Sequence, residues 1–248
     1  MAAERNTAPA GGKGTSGAPS RPPQVQRILP LLLGALTAVT GMIDAVSYLG
    51  LGHVFTANMT GNIVLLGFAF AGDGQISITG SLLAVGSFLV GAAVGGVLVR
   101  RLETVHHRWM GTALGLEAAL LLIAAIAAIP RTQATDYLTI VPLALGMGIR
   151  NATVRRLAVP DMTTTVLTLT LTGLAADTQL PGGEPRAAAA RRIASVVSML
   201  VGALVGALLL RSSLALPLSV AAALVAVLTV TYVAHALPPH EVDNASHG

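Results

Sequence analysis

The sequence predicts an all-α polytopic membrane protein with about six transmembrane helices, two further re-entrant or broken helices, and two inverted-topology repeats. Three observations predict it. Hydrophobic residues make up 53% of the 248-residue chain and charged ones only 10%, against roughly 25% charged in soluble domains. The missing charge is concentrated in several runs of the length that crosses a bilayer, about 20 apolar residues each. The two halves of the chain also resemble each other.

Six apolar segments are clear: Ile28–Leu49, Ile78–Val99, Met110–Ile129, Tyr137–Ile149, Ile193–Leu210 and Leu214–Ala236. The fourth is short unless it continues into Asn151–Val154. Two shorter stretches, Thr56–Gly72 and Asp161–Ala176, are richer in Thr, Asn and Gly. The positive-inside rule arbitrates their topology. If both cross, the 15 basic residues divide almost evenly between the two sides. If both enter and leave on one side, Arg100, Arg101, Arg108, Arg150, Arg155 and Arg156 join the cytoplasmic group, and only Arg131 and Arg211 lie outside. Six crossings with both termini cytoplasmic is therefore the expectation. The membrane domain is 27–237. Residues 1–26 read as a disordered cytoplasmic tail and 238–248 as a polar C-terminal tail.

Ser87–Arg100 aligns without a gap on Ser198–Arg211, with both glycine pairs, the serine and the arginine in register. Gly41-Met-Ile-Asp44-Ala45 resembles Gly148-Ile-Arg-Asn151-Ala152, and Thr56–Asn62 can be laid on Thr164–Thr170. Repeat one is then about 28–129 and repeat two about 135–236. Each holds three crossings, an odd number, so the second copy is inverted. Inverted repeats with a broken segment in each half characterise many secondary transporters.

Gly91/Gly95 and Gly202/Gly206 are GxxxG pairs that let a neighbouring helix approach closely. They point to packing of one repeat on the other or to a homo-oligomer contact.

Polar residues at membrane depth are costly and often functional. Asp44 lies about one and a half turns from the outer end of the first crossing, and its repeat mate is Asn151. It either binds an ion, a proton or a polar solute, or makes a structural bond to Arg150, Ser47 or the backbone. Thr56, Asn58, Thr60 and Asn62 surround Gly61, which permits a helix break. Thr164, Thr168 and Thr170 occupy the matching stretch, with Asp161 or Thr163 as a cap. Helix starts facing each other across a pseudo-twofold axis would frame a site near the midplane. Their Thr and Asn side chains would otherwise only cap and pack. Glu117, about two turns into the third crossing, either pairs with an Arg or serves as a proton relay. His106, His107, Arg108 and Trp109 suggest an interfacial anchor, as do Tyr48, Tyr137 and Tyr232 near segment ends.

There is no cysteine, which excludes disulfides and thiolate chemistry. No metal, nucleotide or nucleophile motif is present, so no cofactor, no metal, no nucleic-acid partner and no enzymatic activity are expected.

Thr40-Gly41-Met-Ile-Asp44-Ala-Val-Ser47-Tyr48-Leu49-Gly50, followed by His53-Val-Phe-Thr56-Ala-Asn58-Met59-Thr60-Gly61-Asn62, resembles the YoaK-like family of bacterial inner-membrane proteins. Arg150-Asn151-Ala-Thr-Val-Arg155-Arg156-Leu157 looks like the family as well. Its second Thr-rich motif usually carries Gly where this chain has Leu169, so the second break need not be as sharp as the first. The resemblance covers roughly residues 28–236. It implies a multi-spanning bacterial inner-membrane protein of about six helices and supplies no substrate. The functional expectation is a secondary transporter or channel for a small polar solute or ion. The alternative is a non-transporting membrane scaffold or stress-related protein. The partners expected are the lipid bilayer and that solute.

Overall fold

The computed structural model describes residues 23–102, 106–130, 132–157, 167–176 and 186–236. They form eight helices: α1 (Pro23–Gly50), α2 (Met59–Phe70), α3 (Ile78–Leu102), α4 (His106–Ala127), α5 (Gln133–Leu157), α6 (Leu167–Ala176), α7 (Arg186–Leu210) and α8 (Ala215–Ala236). Among the described residues there is no strand. Six helices have 22 to 28 residues, while α2 has 12 and α6 has 10.

The solvation pattern is that of a membrane protein. Leu31, Ile63, Phe70, Leu122, Leu200 and Val230 are exposed, whereas Thr37, Thr40, Asp44, Ser47, Asn62, Glu117 and Arg150 are buried. Water would penalise so much contiguous apolar surface, and lipid does not. Five helices, α1, α3, α4, α7 and α8, are long and apolar enough to cross a membrane. The sixth long helix, α5, has 25 residues, about 37 Å at 1.5 Å per residue. Asp136, Arg150, Asn151, Arg155 and Arg156 lower its apolarity.

Several elements differ from the sequence reading. α1 starts at Pro23, ahead of the apolar run, because Pro is tolerated in a first turn and Gln24–Arg27 propagate the helix. α5 is nearly twice the 13-residue apolar segment, because it continues through Arg150 and Asn151 into its basic last turn. Arg150 is 2% exposed and belongs to no loop; removing it from the cytoplasmic count leaves the charge asymmetry in place. Trp109 and Tyr232 are core residues rather than surface anchors. They lie where the start of α4 meets the end of α8, with Gly111 against Val233. The cap residues Asp161 and Thr163 lie outside the described residues.

Two helix pairs form the frame, α1 with α7 and α3 with α5. Glycine makes both possible. A Cβ on Gly202 would land on the carbonyl oxygen of Ala38, and one on Gly206 would sit 2.9 Å from the Met42 Cα. On the other pair, a Gly91 Cβ would land on the Leu145 carbonyl oxygen, and a Gly95 Cβ would sit 2.9 Å from the Ile149 carbonyl oxygen. Gly41 and Gly148 return the contact from the opposite helix, against Met199 and Phe88 respectively. Within each pair residue numbers rise together, so α1 runs parallel to α7 and α3 parallel to α5. Backbones this close gain dispersion and Cα–H···O contacts that larger side chains would prevent. Between the pairs, α4 packs on α8 and on α5, and α8 on α1.

Gly91→Leu or Gly202→Leu should lower the detergent melting temperature sharply, because the clash is with backbone. Overpacking costs about 1–3 kcal/mol and more where the backbone cannot move. Gly86→Ala and Gly96→Ala, where an added Cβ meets nothing within 4 Å, should leave it unchanged. Fluorescence-detected size exclusion after heating checks both.

Candidate functional site

The site begins where α1 ends. Gly52 (φ 83°) and His53 (φ 57°) are consecutive left-handed residues, which reverse the chain at once. Glycine adopts this conformation freely, and His is among the few residue types that tolerate it. The His53 ring stands edge-on to Tyr48 at 5.1 Å. Its Nδ1 lies 3.1 Å from the Gln75 carbonyl oxygen, a bond that needs the proton on Nδ1. Ser77 N–H donates to the Gly52 carbonyl at 3.2 Å. Residues 75–77, just ahead of α3, therefore sit beside the end of α1, and the chain between them returns to where it left.

Between these points the chain runs back along α1. Ala57 N–H donates to Asp44 Oδ1 at 3.1 Å, which places Ala57 level with a residue about 9 Å below Gly50 along the helix axis. Asn62, fully buried, fixes the descending segment. Its Oδ1 accepts from Phe55 N–H at 2.8 Å, and its Nδ2 donates to the Phe55 carbonyl at 2.6 Å. The Asn58 side chain caps α2 by accepting from Gly61 N–H at 3.1 Å. A Cβ on Gly61 would meet Asn58 and the Phe55 ring at 2.9 Å, so this turn needs glycine for space. α2 then climbs away, with Asn62, Leu66 and Ala69 on its buried face and α3 as its packing partner.

A cavity of about 440 Å³ opens between this loop, α1 and α7. Gly41, Ala45, Ala203 and Ala207 leave the room, Tyr48 and Phe55 form one wall, and Asp44 and Asn58 bring polar atoms to it. Tyr48 and Phe55 are stacked, with centroids 4.9 Å apart and planes 22° from parallel. Asp44 is 7% exposed. A carboxylate can accept about four hydrogen bonds; the donor given to it by the described residues is the Ala57 N–H.

Deeper in the bundle lies a charged pair. Arg150 and Glu117 are buried and doubly bonded, Nε to Oε2 at 2.8 Å and Nη2 to Oε1. Arg150 Nη1 also donates to the Leu36 carbonyl at 2.9 Å and to Thr40 Oγ1 at 2.7 Å. Gly146, one turn before Arg150, keeps the facing surface of α5 low, and its Cβ position is 3.5 Å from the Glu117 Cγ. Arg150 also attracts Asp44 electrostatically.

The structure brings Asp44, Asn58 and Asn62 together, with Thr56 in the connecting loop. Thr56 is buried, and its Oγ1 has no partner among the described residues. Thr60 points outward. Asn62 serves the backbone and not the cavity. Glu117 is committed to Arg150. Asn151 is half-buried on α5 and has a partner of its own. Thr168 and Thr170 lie on α6, and Thr164 lies outside the described residues. α6 packs on α7, where a Cβ on Gly173 would meet the Arg192 guanidinium at 2.7 Å. Among the described residues, the two short helices have separate surroundings. α2 takes its packing from α3 and α6 from α7, so Asp44 faces α7 rather than a second helix start. The sequence reading weighs Arg150 as a partner for Asp44 and leaves the arginine that meets Glu117 unnamed; the structure gives Arg150 to Glu117. The signal for that pairing was an arginine one turn after Gly146, inside an otherwise apolar helix face.

Residues 32–231 match the family described as "Protein of unknown function (DUF1275)". The chain belongs to this family. Within the curated proteins, it is 37% identical over 147 residues to the UPF0700 transmembrane protein YoaK of Bacillus subtilis (strain 168), across 59% of this chain and 65% of that protein. No solved structure matches. Within the matched residues, Thr40–Gly50 carries the α1 side of the cavity and the Thr40 hydroxyl that receives Arg150.

Removing one member of a buried ion pair costs about 3–5 kcal/mol, because the other charge is stranded. Arg150→Met and Glu117→Leu should each lower thermal stability strongly. The double variant should lose much less than the sum. Asn62→Ala should cost about 1–3 kcal/mol by leaving the Phe55 backbone groups unpaired. Melting in detergent and a double-mutant cycle measure all four.

Proposed function

We propose that this family member is a secondary transporter or channel for a small polar solute or ion, with its site in the cavity beside Asp44. The observation that carries the reading is Asp44 itself. It is a carboxylate at membrane depth, on a cavity wall, with one backbone bond. A purely structural acid would be saturated as Glu117 is, since an under-satisfied buried charge is expensive. Small residues on two facing helices supply the space, and the reading involves no chemistry on the solute.

The topology that goes with it is six crossings in a bacterial inner membrane, both termini cytoplasmic, with α2 and α6 re-entrant. Several contacts support it. The chain between Gly52 and Ser77 closes on itself, so α1 and α3 run in opposite directions. With α1 parallel to α7 and α3 parallel to α5, the second half repeats the first upside down. The glycine contacts then hold each half against the other, in the interleaved manner that inverted-repeat transporters use.

The second reading, a non-transporting scaffold, is favoured by one observation: Asn58 and Asn62 both spend their side chains on the protein's own backbone.

Purified protein in liposomes should pass at least one probe from a panel of Na+, K+, chloride, phosphate, glycerol and simple amines. Asp44→Asn, which keeps an acceptor for Ala57, should cut that flux about tenfold or more, equivalent to about 1.4 kcal/mol. Flux equal to that of protein-free vesicles for every probe, from folded protein, would leave the scaffold. For topology, Gly74→Cys and Ser212→Cys should react with an impermeant thiol reagent on intact cells. Arg101→Cys and Arg155→Cys should react only after permeabilisation, and the reverse pattern would end the six-crossing account.

A further inference from the structure

We infer that the cavity beside Asp44 takes an amphipathic organic cation, a protonated amine with an apolar body. The inference rests on the transport reading for its biological sense, but the binding site stands or falls separately.

Charge comes first. Among the described residues, the buried charge-bearing side chains Asp44, Glu117 and Arg150 lie near one another. Arg150 gives two nitrogens to Glu117 and a third to Leu36 and Thr40. That pair closes on itself, and Asp44 is the charge left over. The start of α2 contributes a partial positive charge of about half a unit, which is less than one carboxylate, and Asn58 already caps it. With Asp44 ionised, the cavity is net negative. An anion would be repelled, and a neutral solute would leave the carboxylate uncompensated.

The lining then selects among cations. A bare metal ion exchanges its hydration shell for several oxygens, six to eight in the case of calcium. Here the walls are mainly carbon, contributed by glycine and alanine on α1 and α7 and by Leu49 and Met199. Such a wall would strip water from an inorganic ion and return too little. It suits a cation that carries its own apolar surface. Tyr48 and Phe55 add aromatic rings next to the carboxylate, and a cation within about 6 Å of a ring face is attracted by its quadrupole. One acid, two stacked rings and a small-residue floor in about 440 Å³ make room for an arylalkylamine and leave little for a large solute.

The test uses the full-length protein in detergent and four probes: 2-phenylethylammonium, the bulkier tetrapropylammonium, neutral 2-phenylethanol and phenylacetate. Isothermal titration should show both cations binding, at least tenfold tighter than the alcohol, with phenylacetate weakest. Asp44→Asn should weaken the amine tenfold or more and bring it level with the alcohol. Ala207→Leu fills the cavity from α7 while keeping the Asp44 carboxyl, and should remove binding of cation and alcohol alike while the protein still melts normally. Equal binding of phenylacetate and amine, amine binding indifferent to Asp44→Asn, or no amine binding at all would overturn the inference. Amine binding without flux in liposomes would overturn the transport reading and leave the site. Flux of another solute without amine binding would do the opposite.

Discussion

The arrangement depends on one buried ion pair. Arg150 and Glu117 hold each other by two hydrogen bonds inside the bundle, and the remaining reach of the guanidinium ends on the Leu36 carbonyl and the Thr40 hydroxyl. Three helices, α1, α4 and α5, meet at this point, and they come from both halves of the chain. Hydrocarbon offers no water to replace a lost partner, so the pair tolerates little sliding of one helix on another. It thereby fixes the depth at which α1 sits. That in turn sets where Asp44, one turn beyond Thr40, meets the returning loop.

Around that pin, glycine decides which helices touch. The tightest pairings join the first half to the second, α1 to α7 and α3 to α5, with carbonyl oxygens lying where a side chain would begin. The pair α1 and α7 packs closely at Gly41 and opens along Ala45, Ala203 and Ala207, and the cavity lies in that widening. Asn62 plays a comparable part for the loop. By holding both backbone groups of Phe55, it orders the irregular segment between α1 and α2.

Much of this was legible in the sequence. Apolar run length identified five of the six long helices and set the two short ones apart, while α5 carries only a 13-residue run. Periodic glycines on α3 and α7 marked the faces that meet other helices. Gly41 and Gly148, which the alignment of the halves puts in equivalent places, make matching close contacts with α7 and α3. The readings that failed share a cause. Arg150, Trp109 and Tyr232 were assigned by residue type, as loop charge or interfacial aromatic, whereas their positions depend on which helix lies opposite. The separation of the two polar stretches was hidden for the same reason: spacing along a chain fixes the face of a helix, not the partner that covers it. Asn62 was read as a ligand for solute because its acceptor and donor suit a peptide group and a small polar molecule equally well.

The interleaving of the halves has a consequence for biogenesis. A chain made from its N-terminus places α1 and α3 in the bilayer before α5 and α7 exist. Their glycine faces then meet only lipid, and the arginine that binds Leu36 and Thr40 has yet to be synthesised. Neither half is a separate folding unit, since each keeps its best partners in the other. The nascent first half must wait, loosely packed, for partners still to be made. Assembly is thus of high contact order. Final packing therefore falls to the docking of later helices onto earlier ones already in the membrane.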